Sequence, residues 1–446
     1  MWKSIRWLTK SPPRILVLGF AAIILIGTYL LMLPISAASG QSTPFIDALF
    51  TATSATCVTG LVVVDTGTYY SVFGQWIVLA LIQIGGLGFM TMGTLFALFL
   101  KRRISLSERL VLQEALNQSS IEGIVRLVRK VVIYTFAIEA FGAAAFTLRF
   151  LSDMSAGQAL YFGIFHSVSF FNNAGFDIMG DFRSLTEYVG DPAVNLTAML
   201  MIVLGGIGFV VLADLAEYRL NRRLSLHSKV VLVMTASLIT VGTLVLFFFE
   251  YTNARTMGPL PFGEKLLAAL FQSVSPRTAG VNSVDIASLR QASQFFIILL
   301  MFIGASPGST GGGIKTTTFA ALIGAVISMI RGKEDVVMFR YRLNKERVYK
   351  ALTVTLFALA LVTIATMILA TTEDHHFLMI LFEVTSAFGT VGLTMGLTTQ
   401  LTLAGKIVII LMMFLGRLGP LTLSYAIAPK PGKPLYRYAE GKIIIG

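Results

Sequence analysis

The sequence predicts an all-α polytopic membrane protein with eight transmembrane helices, built as four span–pore-helix–span repeats around one pseudo-fourfold pore. Three observations predict it: an apolar composition, eight apolar stretches of spanning length, and four similar glycine turns lying between them. Hydrophobic residues make up 55% of the 446 and charged residues 13%, with mean hydropathy +0.78. A soluble domain carries roughly 25% charged residues, and a chain this apolar cannot hide its surface in one core.

A span requires about 20 mostly apolar residues, and the stretches that qualify are 14–33, 75–100, 131–150, 193–218, 230–250, 294–330, 351–370 and 402–428. The first exceeds the apolar core of a secretory signal, no small-residue cleavage site follows it, and Pro34 ends it, so it is expected to be a true span. Of the 35 Lys and Arg, 26 fall in residues 1–14, 101–130, 219–229, 331–350 and 429–446. Short loops rich in Lys and Arg stay in the cytoplasm, so both termini are expected there.

The net charge of +12 does not point to nucleic acid, because the basic residues are juxtamembrane and separated by spans. Cys57 is the only cysteine, which excludes an internal disulfide and a cysteine metal site. His166, His227, His375 and His376 have no metal-ligand spacing. Nothing in the chain suggests an enzyme.

Internal repeats organise the spans. "IQIGGLGF" at 82–89 and "KRRISLSERLVL" at 101–112 recur as "IVLGGIGF" at 202–209 and "NRRLSLHSKVVL" at 221–232, an offset of 120; "IILLMFIG" at 297–304 recurs as "IILMMFLG" at 409–416, an offset of 112. The repeats occupy 1–112, 113–229, 230–348 and 349–446. Between the two spans of each lies a short apolar segment, at 43–55, 156–170, 261–275 and 376–388, then a turn: "SATCVTGL" (54–61), "SFFNNAGF" (169–176), "SPRTAGV" (275–281) and "SAFGTVGL" (386–393). Segments of about four helical turns are too short to cross. Each reads as a re-entrant helix that returns as extended backbone.

Unpaired backbone at membrane depth survives only inside protein or beside a wet cavity. Four such turns meeting on one axis would offer rings of carbonyl oxygens to a dehydrated cation. Gly60, Gly175, Gly280 and Gly392 would supply backbone angles barred to other residues, and the short helices would aim their partially negative C-terminal ends at the axis.

With "TCVTGL", "NNAGF", "PRTAGV", "GTVGL" and "GASPGSTGGGIKTTTF" (304–319), the chain resembles the Trk/Ktr/HKT superfamily of potassium transporters, and within it the membrane subunit of bacterial Ktr systems. The resemblance implies potassium uptake, often sodium-dependent, in a bacterial plasma membrane. It implies a homodimer with one pore per protomer, and a cytosolic nucleotide-binding ring of RCK/KTN type. It also implies that the filter backbone, the K+ site, comes from Val58, Thr59 and Gly60; Asn173, Ala174 and Gly175; Thr278, Ala279 and Gly280; and Thr390, Val391 and Gly392. The basic loops 101–112, 221–229 and 331–350 are candidate docking sites for the ring, or topology signals alone.

The stretch 294–330 would be about 55 Å long as one helix against a hydrocarbon core of about 30 Å, so it is expected to break. Gly304, Ser306, Gly308, Gly311, Gly312, Gly313 and Lys315 unwind its middle, and by the repeat this loop should lie under the filter as a movable gate. Its near match to a phosphate loop fails because Ile314 follows Gly313 where lysine is needed and a membrane helix precedes it. A simple structural kink is the plainer reading. Arg417 stands where the other repeats carry Gly86, Gly206 and Ala305, and its charge is costly in a bilayer core. It is expected to hold the 304–318 loop by its carbonyls, or else to snorkel. Arg277 is expected to pair with an acidic group such as Glu383. The rival to a channel-like filter is a secondary cation or solute symporter with a midplane site, although such folds favour inverted repeats.

Overall fold

The structure, a computed structural model, describes residues 12–88, 91–94, 104–115, 123–419 and 422. The basic runs expected at the two termini therefore lie largely outside the described residues, as does part of the loop at 101–130. Along the chain the helices of ten or more residues are α1 (Pro12–Met32), α2 (Phe45–Cys57), α3 (Val72–Leu87), α4 (Leu106–Ala115), α5 (Ile124–Phe150), α6 (Ala156–Phe171), α7 (Pro192–Gly206), α8 (Phe209–Asn221), α9 (Leu226–Glu250), α10 (Phe262–Val274), α11 (Gln291–Phe302), α12 (Thr316–Ile330), α13 (Lys345–Thr372), α14 (Phe377–Gly389) and α15 (Leu403–Leu418). A small antiparallel hairpin, β1 (Val337–Met338) with β2 (Tyr341–Arg342), separates α12 from α13.

Among the described residues four helices, α1, α5, α9 and α13, are long and apolar enough to cross a membrane, and only 28 to 33% of their most apolar windows is buried inside the molecule. Their outer faces are apolar rather than charged: Leu148 is 72% exposed, Phe248 84% and Met367 65%. A helix that is apolar on its outward face has no stable place in water and fits hydrocarbon.

Within the stretches 75–100 and 193–218, expected as continuous spans, the structure breaks the helix at a glycine, and within 402–428 it ends α15 at one; residues 89–90, 95–100, 420–421 and 423–428 lie outside the described residues. α3 stops before Gly88 (φ +80°), α7 and α8 meet at a bend of 102° around Gly208 (φ +95°), and α15 stops before Gly419 (φ +79°). The physical reason is shared: each glycine takes a positive φ that a residue with Cβ rarely adopts. The stretch 294–330 likewise runs as α11 and α12 joined by the loop 303–315.

The short helices pack tightly against the long ones. Ser167 Oγ on α6 donates to Glu139 O on α5 at 2.6 Å, and Ser273 Oγ on α10 donates to Ile239 O on α9 at 2.8 Å. In both pairs a glycine three residues further on, Gly142 and Gly242, removes the Cβ that would strike the serine hydroxyl. One buried cluster joins the beginning and end of the chain, with Leu31, Phe50 and Val78 packed among Leu369, Val384 and Ile409. A second joins its middle, through Phe146, Phe170, Met201, Val231 and Phe271. Large, well-packed apolar clusters of this kind hold the four turns at fixed separations.

Candidate ion pathway

Each short helix ends in the same backbone construction. Val58, Asn173, Thr278 and Thr390 have φ of +58°, +57°, +76° and +49°, and the glycines two residues on, Gly60, Gly175, Gly280 and Gly392, have φ of +89°, +70°, +71° and +96°. Val58, Thr278 and Thr390 are β-branched, for which this region is strained by roughly 1–3 kcal/mol each. Strain repeated at equivalent places is held there by the surrounding structure.

A serine at the start of each turn holds the strained backbone. Ser54 O accepts from Thr59 N at 2.8 Å and Ser54 Oγ from Gly60 N at 3.1 Å; Ser386 O accepts from Val391 N at 2.8 Å and Ser386 Oγ from Gly392 N at 3.1 Å. In the other two turns Ser169 and Ser275 accept from Ala174 N (2.8 Å) and Ala279 N (2.9 Å), while their hydroxyls donate outward to Phe176 O and Val281 O. Sequence reading passed over these four serines, although each is the first letter of its turn. In the third turn the serine lies five residues before the glycine instead of six, and Pro276, which has no N–H, follows it.

The four glycines close a ring. A Cβ placed on Gly60 would lie 2.5 Å from Ala174 O, one on Gly175 2.6 Å from Ala279 O, one on Gly280 2.2 Å from Val391 O, and one on Gly392 2.2 Å from Thr59 O. Each glycine therefore abuts the backbone of the next segment, and the fourth abuts the first. The structure thus brings Thr59, Gly60, Ala174, Gly175, Ala279, Gly280, Val391 and Gly392 together, with Val58, Asn173, Thr278 and Thr390 leading into the ring from the short helices.

On the helix side of that ring lies the 303–315 loop. Thr310 Oγ1 donates to Gly205 O (3.1 Å) and Phe171 O (3.3 Å), Gly312 N donates to Thr390 Oγ1 (3.0 Å), and a Cβ on Gly311 would meet Thr278 Oγ1 at 2.0 Å. The loop thereby touches the second, third and fourth segments. Its frame is internal: Gly304 comes close enough to Gly312 O that a Cβ would lie 2.2 Å away, Ser306 Oγ and Thr316 Oγ1 are 2.8 Å apart, and Lys315 Nζ donates to Gly311 O (2.7 Å) and Gly312 O (3.3 Å). Gly308 O accepts from Phe209 N at 2.8 Å, tying the loop to the bend after α7, and Gly313 adopts φ +67°.

Arg417 completes the enclosure. Its Nη1 donates to Thr310 O in the loop, and its Nη2 donates to Gly85 O and, at 3.2 Å, to Gly86 O at the end of α3. A guanidinium presents several donors in a fixed fork and can join two such elements at once. It does not snorkel.

Arg277 requires a correction. It does not pair with Glu383: its Nη1 and Nη2 donate at 3.3 Å to the carbonyl and hydroxyl of Thr235 on α9, whereas Glu383 accepts from Thr394 Oγ1 at 2.7 Å and from Thr398 Oγ1. The reason is position. Glu383 lies mid-way along α14 behind the fourth segment, and Arg277 points outward from the third, toward the helix that packs on it.

Beyond the ring, Asp177 follows the second glycine by two residues. Burial, reinforced by the neighbouring Asp65 carboxylate, pushes its pKa from the ordinary 3.8 up to about 6, against the lowering effects of the Met179 amide and Arg183. Among the described residues no cluster of three or more His, Cys, Asp or Glu side chains could hold a metal ion.

The family model for TrkH, described as a cation transport protein, matches residues 9–433. The chain is 46% identical over 444 residues to the Ktr system potassium uptake protein B of Bacillus subtilis (strain 168), covering 100% of this chain and 99% of that one. It is 41% identical over 442 residues to the potassium/sodium uptake protein NtpJ of Enterococcus hirae, covering 98% and 97%. Among solved structures, the potassium transporter TrkH from Vibrio parahaemolyticus has the same fold, with a TM-score of 0.76 at 18% identity over 94% of this chain and 86% of that one.

Proposed function

This chain belongs to the TrkH family of cation transport proteins, and on that premise we propose that it takes up potassium through a ring of main-chain carbonyls. The filter is made by Val58–Gly60, Asn173–Gly175, Thr278–Gly280 and Thr390–Gly392. The observation that carries this reading is the contact of each filter glycine with the backbone of the next segment, closing from Gly392 to Thr59. Carbonyls so arranged can replace the hydration shell of a cation without a side-chain ligand. Each of the four short helices also directs its C-terminal end toward the ring, adding partial negative charge. An arrangement of four similar backbone segments favours a filter over a midplane symporter pocket, which would be asymmetric and lined by side chains.

The 303–315 loop and Arg417 then act as the gate. Together they contact all four segments or the helices that follow them, on one side of the ring, so a passing ion must displace them. Lys315 and Arg417 add positive charge to that barrier. Four repeats, each contributing two spans, surround the pore, with both termini in the cytoplasm of a bacterial cell.

The names of the relatives, a Ktr system protein and a potassium/sodium uptake protein, support transport of potassium, with sodium as a coupled or competing ion. They also support assembly with further subunits. We place a homodimer and a cytosolic RCK/KTN ring in that role, docking on the basic loops 101–112, 221–229 and 331–350.

The test is growth rescue of uptake-deficient bacteria at limiting potassium. Gly→Ser at 60, 175, 280 and 392 should each abolish rescue or admit sodium, because a side chain at these positions meets backbone at 2.2 to 2.6 Å. Unaltered uptake and selectivity in all four variants would refute the filter.

A further inference from the structure

A cavity of about 270 Å³ lies away from the ion path, between α9, α12 and the β1–β2 hairpin. Its walls are apolar: Val233 and Met234 from α9, Ile323 and Ile327 from α12, and Met338 and Phe339 from the hairpin. Gly324 forms part of the floor, where a Cβ would meet Met338 Cε at 2.5 Å. The rim is different. Arg331 and Lys333, where α12 ends, line the same cavity and are exposed, and among the described residues neither side chain has an ion-pair or hydrogen-bond partner. The neighbouring Arg342, by contrast, is paired with Asp335 at 3.1 Å.

We propose that this cavity binds one anionic phospholipid, with an acyl chain between α9 and α12 and the phosphate held by Arg331 and Lys333. Three features select that occupant. First, the surrounding surface is the outward apolar face of two membrane helices, with Val233 49% and Ile330 80% exposed, so the solvent that reaches the opening is hydrocarbon. Second, cations at the end of such a helix lie at headgroup depth, where basic pockets between helices collect anionic lipids. Third, a phosphate satisfies two cations through charge-assisted hydrogen bonds, which a zwitterionic choline headgroup does less well. The bound chain would lie against α12, whose first residue Thr316 is hydrogen-bonded to Ala305 O (3.2 Å) and to Ser306 in the gate loop. The site therefore lies behind the half of the broken helix that the gate loop leads into.

The test is native mass spectrometry of the full chain in mild detergent, with phosphatidylglycerol and phosphatidylcholine supplied at equal concentration. The intact protein should retain one more phosphatidylglycerol per chain than the R331A/K333A variant, with no such difference for phosphatidylcholine. Val233→Trp, which fills the cavity, should lose the same lipid; if that variant does not fold, the surface charge variant decides alone. Equal retention in the intact and R331A/K333A proteins, or equal retention of the two lipids, would overturn the proposal. So would a photocrosslink from position 327 to protein instead of lipid, which would put the chain's own C-terminal residues, a second copy or a regulatory subunit in the cavity.

Discussion

Arg417 Nη1 donates to the carbonyl of Thr310, joining α15 to the loop between α11 and α12. With the Nη2 bonds to Gly85 O and Gly86 O, this one side chain bridges three parts of the molecule beneath the ring. A half-buried guanidinium bonded to three carbonyls is held firmly, and a charge-assisted hydrogen bond contributes about 1.5–3 kcal/mol. Arg417→Gln should therefore raise potassium flux, by roughly tenfold if about 1.4 kcal/mol of closed-state stabilisation is lost. Arg417→Lys should give an intermediate rise, because an ammonium keeps the charge but cannot fork to both elements. Rubidium-86 influx into proteoliposomes measures both; lower flux in Arg417→Gln would mean that the arginine helps ions through.

Ser54 and Ser386 accept from the backbone amides of Gly60 and Gly392 in the ring, both at 3.1 Å. Replacing either by alanine leaves a buried N–H without a partner, at about 1–3 kcal/mol. Ser54→Ala and Ser386→Ala should weaken potassium-over-sodium selectivity more than the total flux, since the ring keeps its carbonyls but loses their fixed direction. Ser169→Ala and Ser275→Ala, whose hydroxyls donate to carbonyls instead, should do less. Competition of sodium against rubidium-86 uptake distinguishes the two pairs.

Asp177 is the group whose titration should be visible from outside. With its pKa pushed up to about 6, it is charged at neutral pH and gains a proton as the pH falls through that value. The charged form draws cations toward the mouth, so the potassium concentration giving half-maximal uptake should rise as the external pH drops from 7 to 5. Asp177→Asn should show the weaker uptake at every pH and lose that step. A step of the same size in Asp177→Asn would assign it to another group.

Gly312 approaches the fourth segment so closely that a Cβ would lie 2.4 Å from Thr390 Oγ1. Gly312→Val should push the loop away from the ring and raise flux, and deletion within 308–313 should raise it further. Flux unchanged by the deletion would remove the loop from the ion path.

The four turns were legible in the sequence because glycine and its spacing repeat: the short helices at 43–55, 156–170, 261–275 and 376–388 correspond to α2, α6, α10 and α14 within two residues at each end. Breaking of the 294–330 stretch was legible from length alone. The interruptions at Gly88, Gly208 and Gly419 were not, because one glycine in an apolar helix is usually tolerated and its φ is decided by what packs around it. The partner of Arg277 was also hidden. Its sequence offers a cation and no direction, and tertiary packing turned it toward Thr235 rather than toward Glu383 in the fourth repeat.

The most direct measurement of the central claim is anomalous diffraction, or cryo-electron microscopy difference density, from the protein loaded with thallium(I) in place of potassium. A carbonyl filter requires a thallium peak on the axis enclosed by Gly60, Gly175, Gly280 and Gly392, coordinated by main-chain oxygens and lost on competition with potassium. Thallium bound only elsewhere, or coordinated there by side chains of one segment, would contradict it.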